Sequence, residues 1–431
     1  MSLPKEVNYM DKSELPKGTT NTTIIITPQT GNLTYNASGQ LIQFNLPIRG
    51  YLVPNTLYLR YKMTATITGG GTFGAATVVA GSFPGYSPFL RMETLIGSNV
   101  VESISNYNML NQLILTCKTH YARKFGLAAM MAIGGGGNPP PALTTSNTNA
   151  YTPTAGNTTE DIFVAIPINC LFGNADKLVP LKFMPATSLN FYLDAVGNFA
   201  PGITTAGLSN CELCFDVIEF GADVDGAVLS MVDERGKLVL KSQSYMVSQQ
   251  NVSQGISGTN EYIYSMRLAS IKSLFLNIGG TNAASVNKTF DSFDVTMKTG
   301  SYQFFIAGTP YPSREISTIL NKAGVLAELA MAIDGTNDPS QANFSITPVE
   351  FNYLSNATTT ALLPAKFYVG TNVERLASSA MLTGISSQLS PISVRLVNST
   401  ASAAAHTMAL IAHYDVLIEI DPINRQAVVL Q

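Results

Sequence analysis

Hydrophobic and polar residues alternate with a period of two along much of this chain. The clearest run lies at residues 57–64, where Leu57, Leu59, Tyr61 and Met63 interleave with Tyr58, Arg60, Lys62 and Thr64. That is the pattern of a strand with one buried and one wet face. Thr23–Thr27 is β-branched, Leu41–Leu46 is another short run, and Pro54-Asn55 marks a turn. The stretch SPFLRMETLIGSNVVES reads as a strand, a Gly97-Ser98-Asn99 turn and a return strand. Asp161–Asn169, Ser188–Ala195 and Cys211–Phe220 supply three more. In the second half the strand-like runs are Leu238–Val247, Glu261–Leu268, Ser270–Ile278, Asp291–Met297, Lys366–Val369, Ile392–Val397 and Thr407–Ile420.

The period changes to that of a helix in two longer places. Tyr107, Leu110, Ile114, Cys117 and Tyr121 form one stripe; Ile316, Leu320, Ala323, Leu326 and Ile333 form the other. For the second, Ser313 is the predicted N-cap and Asp334-Gly335 the stop. The two stripes lie about 210 residues apart. Phe215–Glu219 is echoed by Tyr414–Glu419 at a similar spacing, which is domain-sized and not solenoid-sized. The predicted fold is therefore all-β: two tandem eight-stranded antiparallel jelly rolls, each with a short helix insertion. The expected divisions are an N-terminal arm at 1–20, a first jelly roll at 20–222, a linker with a short helix at 223–235 and a second jelly roll at 236–431. Gly69–Gly85 and residues 132–160 read as long loops, and loops of the second kind are usually functional or disordered.

Composition adds one unusual feature. Charged residues make up 12% of the 431, against about a quarter in an average soluble domain, while 45% are hydrophobic. Such a chain spends much of its surface on neighbours. Its net charge of -3 and the lack of a basic arm give nucleic acid no long-range attraction, so direct sequence-specific nucleic-acid binding is not expected. Lys5, Glu6, Asp11 and Lys12 interrupt the first apolar residues, so a secretory leader is not expected and synthesis in a cytosol is.

Little in the sequence points to catalysis. His120, His406 and His413 stand in no metal-ligand spacing and beside no nucleophile motif. Cys211 and Cys214 have CxxC spacing, but in a strand residues three apart face opposite ways, so packing is the expected role. Gly134–Gly137 runs into Asn138 and three prolines and cannot open a phosphate-binding helix. Glu219, Asp223 and Asp225 resemble the start of a calcium loop without its closing Glu; Asp225 is instead the expected cap of a helix at Ala227–Val232. Sequons at Asn21, Asn157, Asn251, Asn356 and Asn398 carry no weight without a secretory signal. No catalytic, cofactor or metal residue is predicted.

Four segments carry a family resemblance: FNLPIRGYLVPNTLYLRYKMT, then PFLRMETLIGSNVVESISNYNMLNQLI with Tyr107-Asn108 at its helix start, then DIFVAIPINCLFGNADKLVPLKFMPATSLNFYLDA, and SYQFFIAGTPYPSREISTILNKAGVLAEL. In order and spacing the chain resembles the double jelly-roll major capsid proteins of the adenovirus and tectivirus lineage, notably those of Polinton-like viruses and virophages. The resemblance implies a homotrimer whose six barrels make a pseudo-hexameric capsomer in an icosahedral virion shell. It also implies contacts with neighbouring capsomers, penton and minor capsid proteins, and an internal membrane or core proteins beneath. Residues 1–20 would then face inward and 132–160 outward. Two rivals compete with this reading. A tandem β-sandwich spike binding a receptor or carbohydrate has loop Tyr86 and Tyr151 but no Trp; a polysaccharide-cleaving sandwich enzyme would need paired carboxylates.

Overall fold

The structure is a computed structural model that describes residues 18–31, 34–67, 85–118, 158–196, 203–230, 232, 236–280, 299–318, 320–334, 368–374, 382–398, 401–402 and 405–430. The expected arm, most of the loops at 69–85 and 132–160, the run Asp291–Met297, and His120, Tyr121, Tyr151, Asn157 and Asn356 lie outside these residues.

The first unit runs β1 (Thr20–Ile26), β2 (Thr34–Tyr35), β3 (Leu41–Leu46), β4 (Tyr51–Leu52), β5 (Tyr58–Ile67), β6 (Phe89–Ile96), β7 (Asn99–Ser105), α1 (Tyr107–Lys118), β8 (Thr158–Pro167), β9 (Thr187–Leu193) and β10 (Ile203–Glu219). A helix, α2 (Ala222–Ser230), follows. The second unit runs β11 (Leu238–Val252), β12 (Gly258–Tyr264), β13 (Ile271–Gly280), β14 (Thr299–Ile306), β15 (Thr309–Ser317), α3 (Lys322–Asp334), β16 (Val369–Asn372), β17 (Ile392–Asn398), β18 (His406–Asp421) and β19 (Gln426–Leu430).

Both units have the same topology. In the first, one sheet is ordered β1-β10-β5-β8 and the other β3-β9-β6-β7; in the second the orders are β11-β18-β13-β16 and β12-β17-β14-β15. Leaving aside the short β2, β4 and β19, each unit pairs its first strand with its eighth, its third with both eighth and sixth, and builds the facing sheet from the other four. That is the jelly roll. Each helix leaves the fifth strand and precedes the sixth, so the helical insertions also correspond. All the ladders are antiparallel, as hairpins and Greek-key returns require.

The alternation at residues 57–64 emerges as predicted: Leu57, Leu59, Tyr61 and Met63 are all at most 2% exposed, and their neighbours face outward. Aromatic edges fill the first core. Phe191 on β9 meets Phe44, Phe89 and Tyr107 with ring centroids 5.5–6.2 Å apart, all edge-to-face, so β3, β6 and α1 converge on one ring. The buried side chains of the two units form a single continuous cluster.

The second helix differs from expectation. Ser313 and Ile316 belong to β15, where Ile316 pairs with Tyr302, and Leu320 is 90% exposed. Hairpin pairing with β14 overrides the local helical spacing. The cap is Asn321, whose Oδ1 accepts the Gly324 N–H at 3.0 Å, and the helix starts at Lys322. The short helix after β10 also starts earlier than expected, at Ala222, which puts Asp225 in its first turn and not at its cap. β16 begins at Val369, where the predicted strand ended.

Truncating Phe191 to Ala removes the ring that three elements share, so urea unfolding should show a loss of about 3–5 kcal/mol. A loss below about 1 kcal/mol would mean the aromatic cluster is not the centre of the first core.

Candidate functional site

The most chemically specified place among the described residues is the joint between the two barrels. β7 is an outer strand of one sheet of the first barrel and β11 an outer strand of the second barrel, and they run beside each other. An outer strand presents unpaired backbone groups that need partners when buried. Here the turn after β8 supplies them: the Asp176 N–H donates to the Lys241 carbonyl at 3.1 Å, and the Asn174 side-chain amide donates to the Gln243 carbonyl at 3.2 Å. In the other direction Ser242 Oγ donates to the Leu171 carbonyl at 2.5 Å.

Glu102 on β7 sits at the centre of this joint, 3% exposed. Its Oε2 accepts Thr94 Oγ1 at 2.6 Å and the Leu171 N–H at 3.0 Å, and its Oε1 accepts the Ser244 hydroxyl from the second barrel. Cys170 and Tyr414 also face it. Burial raises its carboxyl above the ordinary glutamate value, against the pull of the three donors. Burial likewise pushes the Cys170 thiol up to about 12, with the Glu102 charge adding to it. A carboxylate in such a place is tolerable only because its acceptor sites are filled, and one of them only the second barrel can fill.

A second buried cluster braces β11 from the other side. Asp415 on β18 is 1% exposed, with Lys241 Nζ at 3.5 Å and Lys272 Nζ at 3.9 Å from Oδ1. Its Oδ2 accepts Ser270 Oγ at 2.9 Å and the Thr383 N–H at 3.3 Å. Lys272 also pairs with Glu374 at 3.4 Å, so two acids balance two bases. Asp216, the corresponding residue of the first barrel, accepts the Thr23 hydroxyl at 2.7 Å in an exposed setting.

The residues weighed for chemistry fall elsewhere. Cys211 and Cys214 are both buried on β10; Cys211 belongs to the core, where burial raises its thiol to about 12, while Cys214 faces Tyr58 and Arg60. Asp225 pairs with Lys182 and accepts the Tyr51 hydroxyl at 2.9 Å, which ties α2 to the first barrel. His413 stacks on Tyr245 with centroids 4.6 Å apart; its Nε2 donates to Gln243 Oε1 at 3.0 Å, and its Nδ1 lies 3.4 Å from Ser273 Oγ. This Ser–His contact has an amide where a triad would hold a carboxylate, and Ser273 is 1% exposed, so no substrate can reach it. His406 is fully buried. Among the described residues, no three His, Cys, Asp or Glu side chains gather to hold a metal, and no helix is long and apolar enough to cross a membrane. Sequence reasoning did not find Glu102. Its one available signal was a lone acid in an otherwise apolar and hydroxyl-rich strand, NVVESIS.

No family model matches the sequence, and no curated protein is similar to it. Solved structures are. A chain of the PBCV-1 virus capsid superposes with a TM-score of 0.60 at 10% identity, covering 98% of this chain and 99% of that one. The Faustovirus major capsid protein gives 0.59 at 10% identity, covering 96% and 93%. The mavirus major capsid protein gives 0.54 at 10% identity, covering 100% and 95%. The chain has the double jelly-roll fold.

The raised carboxyl of Glu102 sets a pH dependence. A group whose pKa is higher folded than unfolded contributes stability below its unfolded value, about 4.3 for glutamate, and loses it as pH rises through the folded value. Glu102→Gln mimics the protonated form. In urea melts the variant should therefore gain on the parent as pH is raised from 4 to 7 (values about the ordinary glutamate pKa); an unchanged difference would refute the burial argument. Replacing Asp415 by Ala takes a fully buried carboxylate away from two half-buried lysines, of which Lys272 keeps Glu374, and the same melts should show a cost of up to about 3–5 kcal/mol.

Proposed function

We propose that this chain is a structural, non-enzymatic capsid protein, a homotrimeric building block whose copies tile an icosahedral virion shell. One observation carries the reading. The chain is matched end to end, through both barrels in the same order, by chains of a virus capsid and by major capsid proteins. A fold by itself hosts many functions, so the properties of this chain have to agree with that likeness.

Two of them do. First, the joint holds the barrels as one body, which a capsomer needs: edge carbonyls, a buried carboxylate and a continuous apolar core all cross it. Second, the chain is poor in charge and carries large exposed apolar side chains, including Ile25, Phe163, Ile263, Leu389 and Ile423. Phe163 is 71% exposed and lies beside a groove of about 580 Å³ on the outer face of β5, β8 and β10, with Arg60, Lys62 and Glu212 around it. A monomer gains nothing from exposing such groups, whereas a subunit interface buries them.

In this reading residues 20–222 and 236–431 are the two barrels, 223–235 joins them, 1–20 reaches beneath the shell and 132–160 faces outward. Neighbouring capsomers, penton and minor capsid proteins are the partners, above an internal membrane or core proteins. Light scattering on the purified chain should give a mass of three 46.0 kDa copies, and electron microscopy of that peak a pseudo-hexagonal outline. A monomer that assembles under no condition would refute the reading.

A further inference from the structure

The ionic cluster around Asp415 treats the two oxygens of that carboxylate unequally. Oδ2 accepts Ser270 Oγ at 2.9 Å and the Thr383 N–H at 3.3 Å, whereas Oδ1 is buried and accepts no hydrogen bond among the described residues. Two ammonium groups face Oδ1 from just beyond hydrogen-bond distance, Lys241 Nζ at 3.5 Å and Lys272 Nζ at 3.9 Å. Lys272 Nζ also lies 3.4 Å from Glu374 Oε1. The Asp415 side chain is fully covered and that of Glu374 is 4% exposed.

The backbone fixes all three groups. Lys272 is the extra residue of a bulge in β13, since Ile271 pairs with Tyr414 and Ser273 with His413, and a bulge re-aims a side chain. The Lys272 carbonyl accepts the Val373 N–H at 2.8 Å, which places Glu374 next to it. Glu374 Oε1 accepts the Thr383 hydroxyl, and the Gly384 N–H donates to Ser270 Oγ at 2.9 Å, so one short loop holds the glutamate, the hydroxyl and the aspartate. A side-chain methyl at Gly384 would lie 2.3 Å from the Ile271 carbonyl oxygen, so that loop can come this close only with glycine there.

We infer that Lys272 and Asp415 are the partners of an intramolecular isopeptide bond, made by the folded chain itself with Glu374 as the proton carrier. The step balances within the cluster. Glu374 takes a proton from the Lys272 ammonium and passes it to Oδ1, which leaves an amine beside a neutral carboxylic acid. The Nζ lone pair attacks Cγ, the N–C bond forms, and the C–Oδ2 π pair moves onto Oδ2. There the Ser270 hydroxyl and the Thr383 N–H hold the charge, as the donors of an oxyanion hole do. When that pair returns, the Cγ–Oδ1 bond breaks, and Oδ1 takes a second Nζ proton through Glu374 and leaves as water. One ammonium and one carboxylate become one amide and one water, with nothing oxidised or reduced.

The hydrogen bonding fits these roles: the oxygen that leaves has no donor, and the oxygen that carries charge has two. Burial also drives the reaction forward, because a covered ion pair carries a desolvation cost that an amide does not. Lys241 and Glu374 remain as one base and one acid. The bond joins β13 to β18 and closes the chain between residues 272 and 415, which restricts the unfolded ensemble as a disulfide over a long loop does. It forms whether or not the chain assembles with others.

The test is the mass of the purified full chain in denaturing solvent. The parent should be lighter than its sequence requires by one water, and a protease digest should yield a branched peptide linking Lys272 to Asp415. Glu374→Gln and Lys272→Met should each show the full mass, while Lys241→Met should keep the loss. Cooperative unfolding followed by circular dichroism identifies the variants that fold, and the parent's own mass and digest decide the matter where a variant does not. A folded parent of full mass would overturn the inference. So would a lost water without the branched peptide, as from a succinimide at Asp225-Gly226, or a branch at Lys241 in place of Lys272.

Discussion

A jelly roll cannot satisfy its own first strand. β1 and β11 each pair on one side with the eighth strand of their barrel, and the other side is an open ladder edge. The rest of the architecture answers that constraint. In the second barrel the edge is closed by the first, through the carbonyls of Lys241 and Gln243 and the side chains of Ser242 and Ser244. In the first barrel the edge residues Thr20–Thr23 remain exposed. The same fold in tandem thus covers the first-strand edge of one barrel and leaves that of the other exposed.

Polar groups and apolar groups divide the work at the joint. The apolar core runs across it and supplies most of the driving force, without direction. Direction comes from Glu102. A buried carboxylate stabilises little by itself, but any arrangement that leaves it short of a donor is strongly disfavoured. Ser244 is the donor that only the correct neighbour brings. Asp415, held by Lys241 and Lys272 behind the same strand, keeps β11 in the register that presents Ser242 and Ser244.

Several other titratable side chains among the described residues are spent on packing. Cys170 and Cys211 are buried thiols with raised pKa, far from the thiolate a nucleophile needs. His413 spends both ring nitrogens on neighbours and its face on Tyr245. These groups knit strands together.

The local pattern was enough for the strands and for the repeat. Period-two alternation at residues 57–64 becomes one buried face of β5, because in a pleated strand the side chain's direction follows from its position. The echo between Phe215–Glu219 and Tyr414–Glu419 marks the two eighth strands, which share a job and therefore a composition. The start of the second helix was misplaced, since Ile316 and Leu320 have helical spacing but Ile316 is claimed by pairing with β14, an interaction that local spacing does not record. The joint was illegible for the same reason on a larger scale. Glu102 and Ser244 stand 142 residues apart, and each looks like an ordinary strand residue until the two barrels meet. Alternation along the chain decided which residues face a core; only the folded arrangement decided which edges meet, because edge satisfaction depends on groups that sequence distance keeps apart.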